Sequence, residues 1–308
     1  MNLDEAYACC ETITRTEARN FSYGIRLLPP PKRKAMSAIY AMARRIDDIG
    51  DGDLAPPAKL DRLAAVRKRL AQLPGRPGPG SGSAAGPAPD PAPDPAAGLV
   101  AGREDEDPVL VALDHASWRF PIPMEAFDDL VEGCEMDASG TTYQSFDQLV
   151  GYCRRVAGSI GRLSLGVFGA TDLALAMPRA DALGVALQVT NILRDLVEDR
   201  DALGRVYLPA EDIDRFGLGS DLSGSRDDLA ALVIYEARRA RPFWEEGLSL
   251  LALLDRRSRA CVAAMAGIYR RLADQMERRP AAVLETRLSL PRWEKAAVAA
   301  RALAGRGA

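Results

Sequence analysis

Two groups of polar side chains could carry chemistry in this sequence. The first contains Tyr40, Arg44, Asp47 and Asp51, which follow one another at steps of four, three and four residues, with Asp48 beside them. That spacing places them on one face of a helix. Carboxylates crowded at the C-terminal end of a helix repel one another and oppose its dipole, so a cation should offset them. Magnesium suits the position because it binds one or two carboxylates together with water and phosphate.

The second group contains two amides and two carboxylates on one helical face, because Gln188, Asn191, Asp195 and Asp199 recur at steps of three, four and four. The rest of this segment is apolar, and buried amides without partners are costly, so the row should line a polar site. Arg194 can supply a cation for phosphate. A solvated acidic helix end explains one such stripe, but two stripes predict helices that face each other and bind metal and phosphate together.

The elements that must position these groups are predicted to be helices, because Ala, Leu, Arg and Glu dominate and strand or hairpin signals are nearly absent. The fold class is therefore all-α. Pro178 is expected to open the helix of the second group. The predicted helices cover about residues 3–18, 31–50, 56–73, 107–117, 123–136, 145–169, 178–201, 226–254, 256–278 and 291–304.

One of these helices, over residues 145–169, carries three interior glycines, Gly158, Gly161 and Gly166. Each glycine costs up to about 1 kcal/mol relative to alanine, so it needs a reason. Close helix packing and a functional kink explain them equally well. On this helix Tyr152 shares a face with apolar residues, which predicts a phenol above an apolar channel.

Composition excludes several classes of function. The net charge of −3, from 40 Lys+Arg and 43 Asp+Glu, gives no basic excess for binding nucleic acid. Five cysteines without C-x-x-C spacing suggest neither a disulfide framework nor a zinc site, which favours a reducing cytoplasm. The N-terminal segment lacks signal-peptide order, and no apolar run approaches the roughly 18 residues that span a bilayer.

The segment from about residue 74 to 108 is rich in Pro, Gly and Ala and is predicted to be disordered. It need not separate two domains, because the two polar groups lie on either side of it and must meet. The prediction is one domain over residues 1–308 with this segment as a loop insertion.

Three stretches resemble the squalene/phytoene synthase family: FSYGIRLLPPPKRKAMSAIYAMARRIDDIGD, YCRRVAGSIG and LQVTNILRDLVEDRDALGRVYLP. They are long, specific and in the family's order, and they cover nearly all of the chain outside the insertion. The resemblance implies an all-α isoprenoid synthase bundle with a central apolar channel. Prenyl diphosphates and Mg²⁺ would bind at its mouth, and the prenyl tails would occupy its interior.

By matching position, the resemblance also implies roles for individual residues. The aspartates would serve the metal ions and catalysis, Tyr152 and Tyr269 would line the reacting centre, and Tyr40 would lie in the substrate site. The implied metal ligands are Asp47, Asp48, Asp51, Asp195 and Asp199, and the implied diphosphate contacts are Arg44, Gln188, Asn191, Arg194 and Tyr207.

The chain departs from the family near its N-terminus. Many members have a H-S-x-S-F segment whose serines approach a diphosphate, whereas residues 17–21 here read EARNF. Asn20 can still donate a hydrogen bond, but Ala18 cannot. The diphosphate contacts expected of this segment therefore reduce to Asn20.

Within the family, the sequence most resembles the bacterial presqualene diphosphate synthases of the hopanoid pathway. The expected reaction is the Mg²⁺-dependent, head-to-head condensation of two farnesyl diphosphates to presqualene diphosphate. One alternative is a phytoene synthase that couples two geranylgeranyl diphosphates, because it shares every motif. Another is a catalytically silent relative that binds lipid or assists assembly.

The expected partners are prenyl diphosphates and downstream pathway enzymes, with no nucleic acid. The segment from Pro291 onward is predicted to be a docked C-terminal helix, with peripheral membrane contact through Trp293 as the alternative.

Overall fold

The computed structural model describes residues 2–18, 20–73 and 107–305, and within these ranges it contains helices and no strand. The all-α prediction is confirmed. The predicted insertion over 74–108 lies outside the described residues except for its last two positions. In chain order the α-helices are α1 (Leu3–Glu17), α2 (Phe21–Ile25), α3 (Pro30–Asp51), α4 (Pro56–Ala71), α5 (Pro108–Arg119), α6 (Ala126–Ala138), α7 (Phe146–Cys153), α8 (Ser159–Phe168), α9 (Leu173–Arg194), α10 (Leu196–Leu203), α11 (Ala210–Arg215), α12 (Arg226–Arg239), α13 (Arg241–Leu248), α14 (Arg256–Arg278) and α15 (Arg292–Leu303).

Most predicted helix ends agree with the structure to within about three residues, because recognisable caps mark them. Asn2 and Glu5 form a reciprocal capping box on α1. The Asp107 side chain accepts a hydrogen bond from the backbone N–H of Val109 at the start of α5. The short helices α2 and α11 were not predicted, since five or six residues give no helical period to read.

The predicted helix over 145–169 is continuous in direction but not uniform. A five-residue π-helical stretch, Arg154–Gly158, separates α7 from α8. At this point α9 crosses closely, because a Cβ atom on Gly184 would lie 2.6 Å from the backbone N of Gly158. A Cβ on Gly161 would lie 2.7 Å from the carbonyl oxygen of Ala180. The glycines therefore permit close packing beside a local π-helical widening.

The predicted helix over 178–201 is wrong at its start and in its continuity. α9 begins at Leu173, where the Asp172 side chain accepts from the N–H of Leu175, and Pro178 lies inside it. The aspartate cap was a stronger start signal than the proline. The helix then breaks at Asp195 (φ −100°, ψ 8°), which ends α9 and precedes α10.

The predicted helix over 226–254 is divided. α12 ends at Arg239, α13 starts at Arg241, and a 3₁₀ turn follows over Ser249–Leu253. Pro242 explains the break, since it donates no backbone hydrogen bond and restricts the residue before it.

The two halves of the chain interlock around one apolar core that includes Ile39, Ile46, Phe127, Leu163 and Leu193, all 1% exposed or less. α3 packs against α1, α5 and α6, while α9 packs against α8, α13 and the π-helical stretch. The polar faces of α3 and α9 are thereby held on one bundle.

The C-terminal helix α15 docks on α14. A Cβ on Gly267 of α14 would lie 2.9 Å from Cγ1 of Val298, so the two helices are in close contact. Trp293, at the start of α15, is 72% exposed. The docked-helix prediction is confirmed, and membrane contact through Trp293 remains a prediction. Across the described ranges, no helix is both long and apolar enough to cross a bilayer.

Candidate active site

The first acidic motif, Asp47, Asp48 and Asp51, lies on the last two turns of α3. Arg44 is one turn earlier and pairs with two of its carboxylates, with Nη1 at 3.1 Å from Asp47 Oδ2 and Nη2 at 2.7 Å from Asp48 Oδ1. Arg44 Nε is buried and has no hydrogen-bond partner among the described residues. The predicted stripe therefore forms, and Arg44 balances part of its charge.

Arg205 joins the first acidic motif to the second half of the chain. Its Nη1 lies 2.6 Å from Asp51 Oδ1, and its Nη2 donates to the Gly50 carbonyl at 2.8 Å. The same guanidinium lies 3.4 Å from the Tyr207 hydroxyl. Arg205 thus fixes the end of α3 beside the segment that follows α10.

The second acidic motif, Asp195 and Asp199, spans the junction between α9 and α10. Asp195 accepts two hydrogen bonds from Arg194, at 2.8 and 2.5 Å, and Arg287 Nε lies 2.9 Å from Asp195 Oδ1. The side chains of Asp195 and Arg194 are 15% and 10% exposed. Two guanidinium groups therefore already neutralise Asp195, and Arg194 was predicted as a phosphate ligand without its pairing to Asp195.

The other carboxylates are crowded. Burial and then Asp51 raise the pKa of Asp47 to about 7, against the opposing effect of Arg44. Burial, Asp195 and Asp51 raise the pKa of Asp199 to about 7, against Arg205. An effect of Asp51 on both residues means that the two motifs share one electrostatic site. The predicted juxtaposition of the motifs is thus present in the fold.

Asp137, on α6, accepts hydrogen bonds from two tyrosine side chains beside these motifs. The Tyr152 hydroxyl donates to Asp137 Oδ2 at 2.9 Å, and the Tyr207 hydroxyl donates to Oδ1 at 3.0 Å. The two phenol rings stack with centroids 5.3 Å apart. Burial raises the pKa of Asp137 to about 6, opposed by Arg205 and by both phenol hydrogen bonds. We refer to Asp137, Tyr152 and Tyr207 as the phenol cluster.

Tyr269 and Tyr40 border the site on another side. The ring centroids of Tyr269 and Phe21 are 5.7 Å apart. The Cζ atom of Arg194 lies 5.9 Å from the centroid of the Tyr269 ring. Burial raises the pKa of Tyr40 to about 12, and Arg44 and Asp47 also act on it. Tyr40 therefore remains a neutral phenol near the charged residues.

The predicted amides form part of the same surface. Asn191 Nδ2 donates to Gln188 Oε1 at 3.4 Å, a long hydrogen bond, so the two amides neighbour each other on α9. The oxygens of Asn191 and Asn20 are buried, and no partner for either is found in the described residues. Two unsatisfied buried amide groups are what a site lacking its ligand leaves behind. Asn191 also contacts the second motif through its backbone, because its carbonyl accepts a hydrogen bond from the N–H of Asp195 at 2.9 Å.

The donor set suits a magnesium ion that arrives with substrate. Within the described ranges, no three His, Cys, Asp or Glu side chains form a metal site by themselves. Magnesium, however, binds through one or two carboxylates plus substrate phosphate oxygens. Burial and the neighbouring carboxylates raise the pKa values of Asp47 and Asp199, and a bound cation would offset that crowding.

Three residues of the site were not predicted. Phe127, Leu130, Cys134 and Asp137 follow one another at steps of three or four residues, so Asp137 continues the apolar face of α6. A carboxylate on that apolar face was the signal that could have identified it. Arg205 lies between helices and Arg287 follows a 3₁₀ turn, so no helical period relates either to the acidic motifs.

The chain matches known proteins over nearly its whole length. The family model described as squalene/phytoene synthase matches residues 14–294. Proteins named phytoene synthase from Mycobacterium tuberculosis and Mycobacterium bovis are 46% identical over 98% of this chain and 92% of theirs. A phytoene synthase from Arthrospira platensis is 34% identical over 94% of this chain and 90% of its own.

Two solved synthase structures share the fold of this chain. A dehydrosqualene synthase crystallised with a ligand has a TM-score of 0.80 at 25% identity, covering 98% of this chain and 97% of its own. Squalene synthase HpnC from Alicyclobacillus acidocaldarius has a TM-score of 0.72 at 28% identity, covering 91% and 95%. The bundle is an isoprenoid synthase fold, and the chain belongs to the squalene/phytoene synthase family.

Proposed function

We propose that the protein couples two molecules of geranylgeranyl diphosphate head to head, as a phytoene synthase does. The observation that carries the proposal is that Arg205 contacts both acidic motifs and the phenol cluster. Its guanidinium pairs with Asp51 and lies 3.4 Å from the Tyr207 hydroxyl, and its backbone N–H donates to the Asp199 carbonyl at 2.9 Å. A charged mouth that holds diphosphate and a buried set of phenols that can receive a proton are the two parts that this chemistry requires.

The charged mouth suits two diphosphate groups. Asp47, Asp51 and Asp199 would hold Mg²⁺, which supplies charge neutralisation for the departing diphosphate when bound. The guanidinium groups of Arg44, Arg205 and Arg287, which pair with carboxylates of the two motifs, would contact phosphate oxygens. These donors are already oriented by their carboxylate partners, so they lose little freedom when the anion arrives.

The coupling itself needs a dry site and a proton acceptor. One allylic diphosphate leaves with its C–O electron pair, and the double bond of the second substrate attacks the resulting cation. The electron pair of a C–H bond then closes a cyclopropane, and the proton must leave. Loss of the second diphosphate from this intermediate, rearrangement of the resulting cation and loss of a second proton would then give phytoene. Tyr152 is 3% exposed and donates to Asp137, so its oxygen can accept that proton while its own proton passes to Asp137. The released diphosphate is the alternative acceptor.

The relatives guide the choice of prenyl chain. The sequence favoured farnesyl diphosphate and presqualene diphosphate, but the relatives named phytoene synthase, at 46% and 34% identity, support the twenty-carbon substrate. Farnesyl diphosphate is the second candidate, because solved structures of squalene and dehydrosqualene synthases share the fold at 28% and 25% identity.

The proposal is tested by product analysis. Purified protein is incubated with Mg²⁺ and either geranylgeranyl or farnesyl diphosphate, each with and without NADPH, and extracts are analysed by mass spectrometry. Phytoene from the twenty-carbon substrate, without need of NADPH, is the expected result.

The other outcomes separate the alternatives. If the protein turns over only farnesyl diphosphate and forms presqualene diphosphate, the prediction made from the sequence is supported. Squalene formed with NADPH would indicate a reductive enzyme. No turnover of either substrate, from folded protein, would favour the catalytically silent relative.

A further inference from the structure

A second cluster of buried charge lies behind the phenol cluster, outside the residues that face the diphosphates. Glu236 of α12 is 0% exposed, and Asp212 of α11 is 3% exposed. The only cation paired with them among the described residues is Arg239, which forms an ion pair with Asp212. Two buried carboxyl groups against one guanidinium leave an excess of negative charge, and such an excess is costly in a protein interior.

The contacts of Glu236 show which carboxyl group carries that cost. No N–H or O–H group of a described residue donates to either of its oxygens. Arg239 Nη1 is 3.7 Å from Glu236 Oε1, too far for a hydrogen bond. Burial, the adjacent Asp212 carboxyl, and more weakly Glu211, all raise the pKa of Glu236, and Arg239 alone opposes them. α9, α13, α14 and the 3₁₀ turn Pro280–Leu284 also pack against α12, and in the described ranges none of them provides an ion-pair partner for Glu236.

Glu211, Asp212 and Arg239 bind the two segments that carry the phenols. Glu211 Oε1 accepts from the backbone N–H of Phe146, the first residue of α7, at 3.1 Å. The Arg239 guanidinium lies 4.0 Å from the centroid of the Phe146 ring. α7 carries Tyr152, and α11 begins at Ala210, three residues after Tyr207.

The backbone reinforces the same connection. The N–H of Ala210 donates to the carbonyl of Tyr143 at 2.9 Å, and that of Glu211 donates to Gln144 at 3.2 Å. The relative position of Tyr152 and Tyr207, and hence the geometry around Asp137, is therefore set where α11 meets the start of α7.

We propose that Glu236 is a positioning residue of the coupling site: it shares one proton with Asp212, and this proton allows Arg239 to hold α11 against the start of α7. The effect on turnover rests on the proposed function, whereas the shared proton does not. Loss of the shared proton leaves two negative charges facing one guanidinium, which loosens α11 and misplaces Tyr207. Turnover then falls although no diphosphate ligand has changed.

The sign of the pH effect follows from the direction of the shift. A carboxyl group whose pKa is raised by folding keeps a proton that the unfolded chain releases. The stability that it contributes is complete below the ordinary carboxyl range and is lost as the pH rises through the raised value. Asp47, Asp137 and Asp199 add to the same slope, so the effect of Glu236 must be obtained by comparison with a variant.

The test compares Glu236→Gln with wild type. Glutamine keeps the size of the side chain and cannot ionise, so the variant should fold. The midpoint of thermal unfolding is measured from about pH 5 to about pH 9, where wild type should lose about 3 °C or more relative to the variant. Glu277→Gln is the matched control, because Glu277 pairs with Arg241 and lies outside the cluster of Glu236, Asp212 and Arg239, so its change should leave the slope as in wild type.

Turnover supplies the second readout. Glu236→Gln should keep kcat within about twofold of wild type at neutral pH and show a smaller alkaline decline, whereas Glu236→Ala should lower kcat with little change in KM. Equal pH slopes of stability in wild type and Glu236→Gln would overturn the shared proton. Folded Glu236→Ala with wild-type kcat would overturn the positioning role. If wild type turns over no prenyl diphosphate, the proposed function fails, while the unfolding measurement still decides whether Glu236 holds a proton.

Discussion

The carboxylates of the candidate active site differ in how their charge is balanced. Asp195 pairs with both Arg194 and Arg287, and Arg287 also pairs with Glu198, so this half of the second motif carries no net negative charge before any ligand binds. Asp47 and Asp199 remain crowded, with raised pKa values, despite Arg44 and Arg205. Asp195 therefore contributes ion pairs to the scaffold, whereas Asp47 and Asp199 are the carboxylates whose crowding a bound cation would relieve most.

The largest expected effect is the loss of turnover when an uncompensated carboxylate is removed. Asp47→Asn and Asp199→Asn should each lower product formation by about 100- to 1,000-fold, because each removes a ligand needed to neutralise the leaving diphosphate. Turnover is measured with geranylgeranyl diphosphate and Mg²⁺, and circular dichroism checks that the helices remain. Activity retained in both variants would contradict the metal assignment.

Removal of the compensated carboxylate should act on stability. Asp195→Asn leaves Arg194, only 10% exposed, without its strongest partner, and breaking a buried ion pair costs about 3–5 kcal/mol. The free energy of unfolding of the metal-free protein, from denaturant titration, should fall accordingly. Unchanged stability would show that Arg194 and Arg287 do not depend on Asp195.

The crowded carboxylates should respond in the opposite direction. In the metal-free protein at about pH 8, Asp47→Asn or Asp199→Asn should raise the free energy of unfolding by about 1 kcal/mol, a value discounted because half of the Asp47 side chain is exposed. A carboxyl with a raised pKa stabilises only while protonated, so the gain should vanish as the pH falls below about 4. Destabilisation by these variants would show that Asp47 and Asp199 are already compensated.

A smaller effect is expected at the phenol cluster. Tyr152→Phe removes a hydrogen bond that lowers the pKa of Asp137, so that pKa should rise above about 6. Because Asp137 can accept a proton only when ionised, the acid limb of kcat/KM should move to higher pH, with kcat reduced by about 10-fold or more. If the acid limb of the Tyr152→Phe profile stays at the wild-type pH, the group that titrates there is not Asp137.

The first acidic motif could be predicted because it lies on one unbroken helix, where residue spacing fixes direction. The break at Asp195 could not, since no proline or glycine marks it in the sequence. Its carboxylate pairs with Arg287, 92 positions further along the chain, a contact that residue spacing does not reveal. Asp137 was missed for a related reason: its role arises from Tyr152 and Tyr207, which only the folded bundle brings to it. Pro242 and the Asp172 cap were readable, but competing helical patterns obscured them.

The central claim is that Asp47 and Asp199, from different acidic motifs, serve one diphosphate site. Calorimetric titration of the protein with inorganic diphosphate in the presence of Mg²⁺ tests this claim most directly. We predict binding by wild type and a comparable loss of affinity, by about 10-fold or more, in Asp47→Asn and in Asp199→Asn. Wild-type affinity in either variant would contradict a shared site.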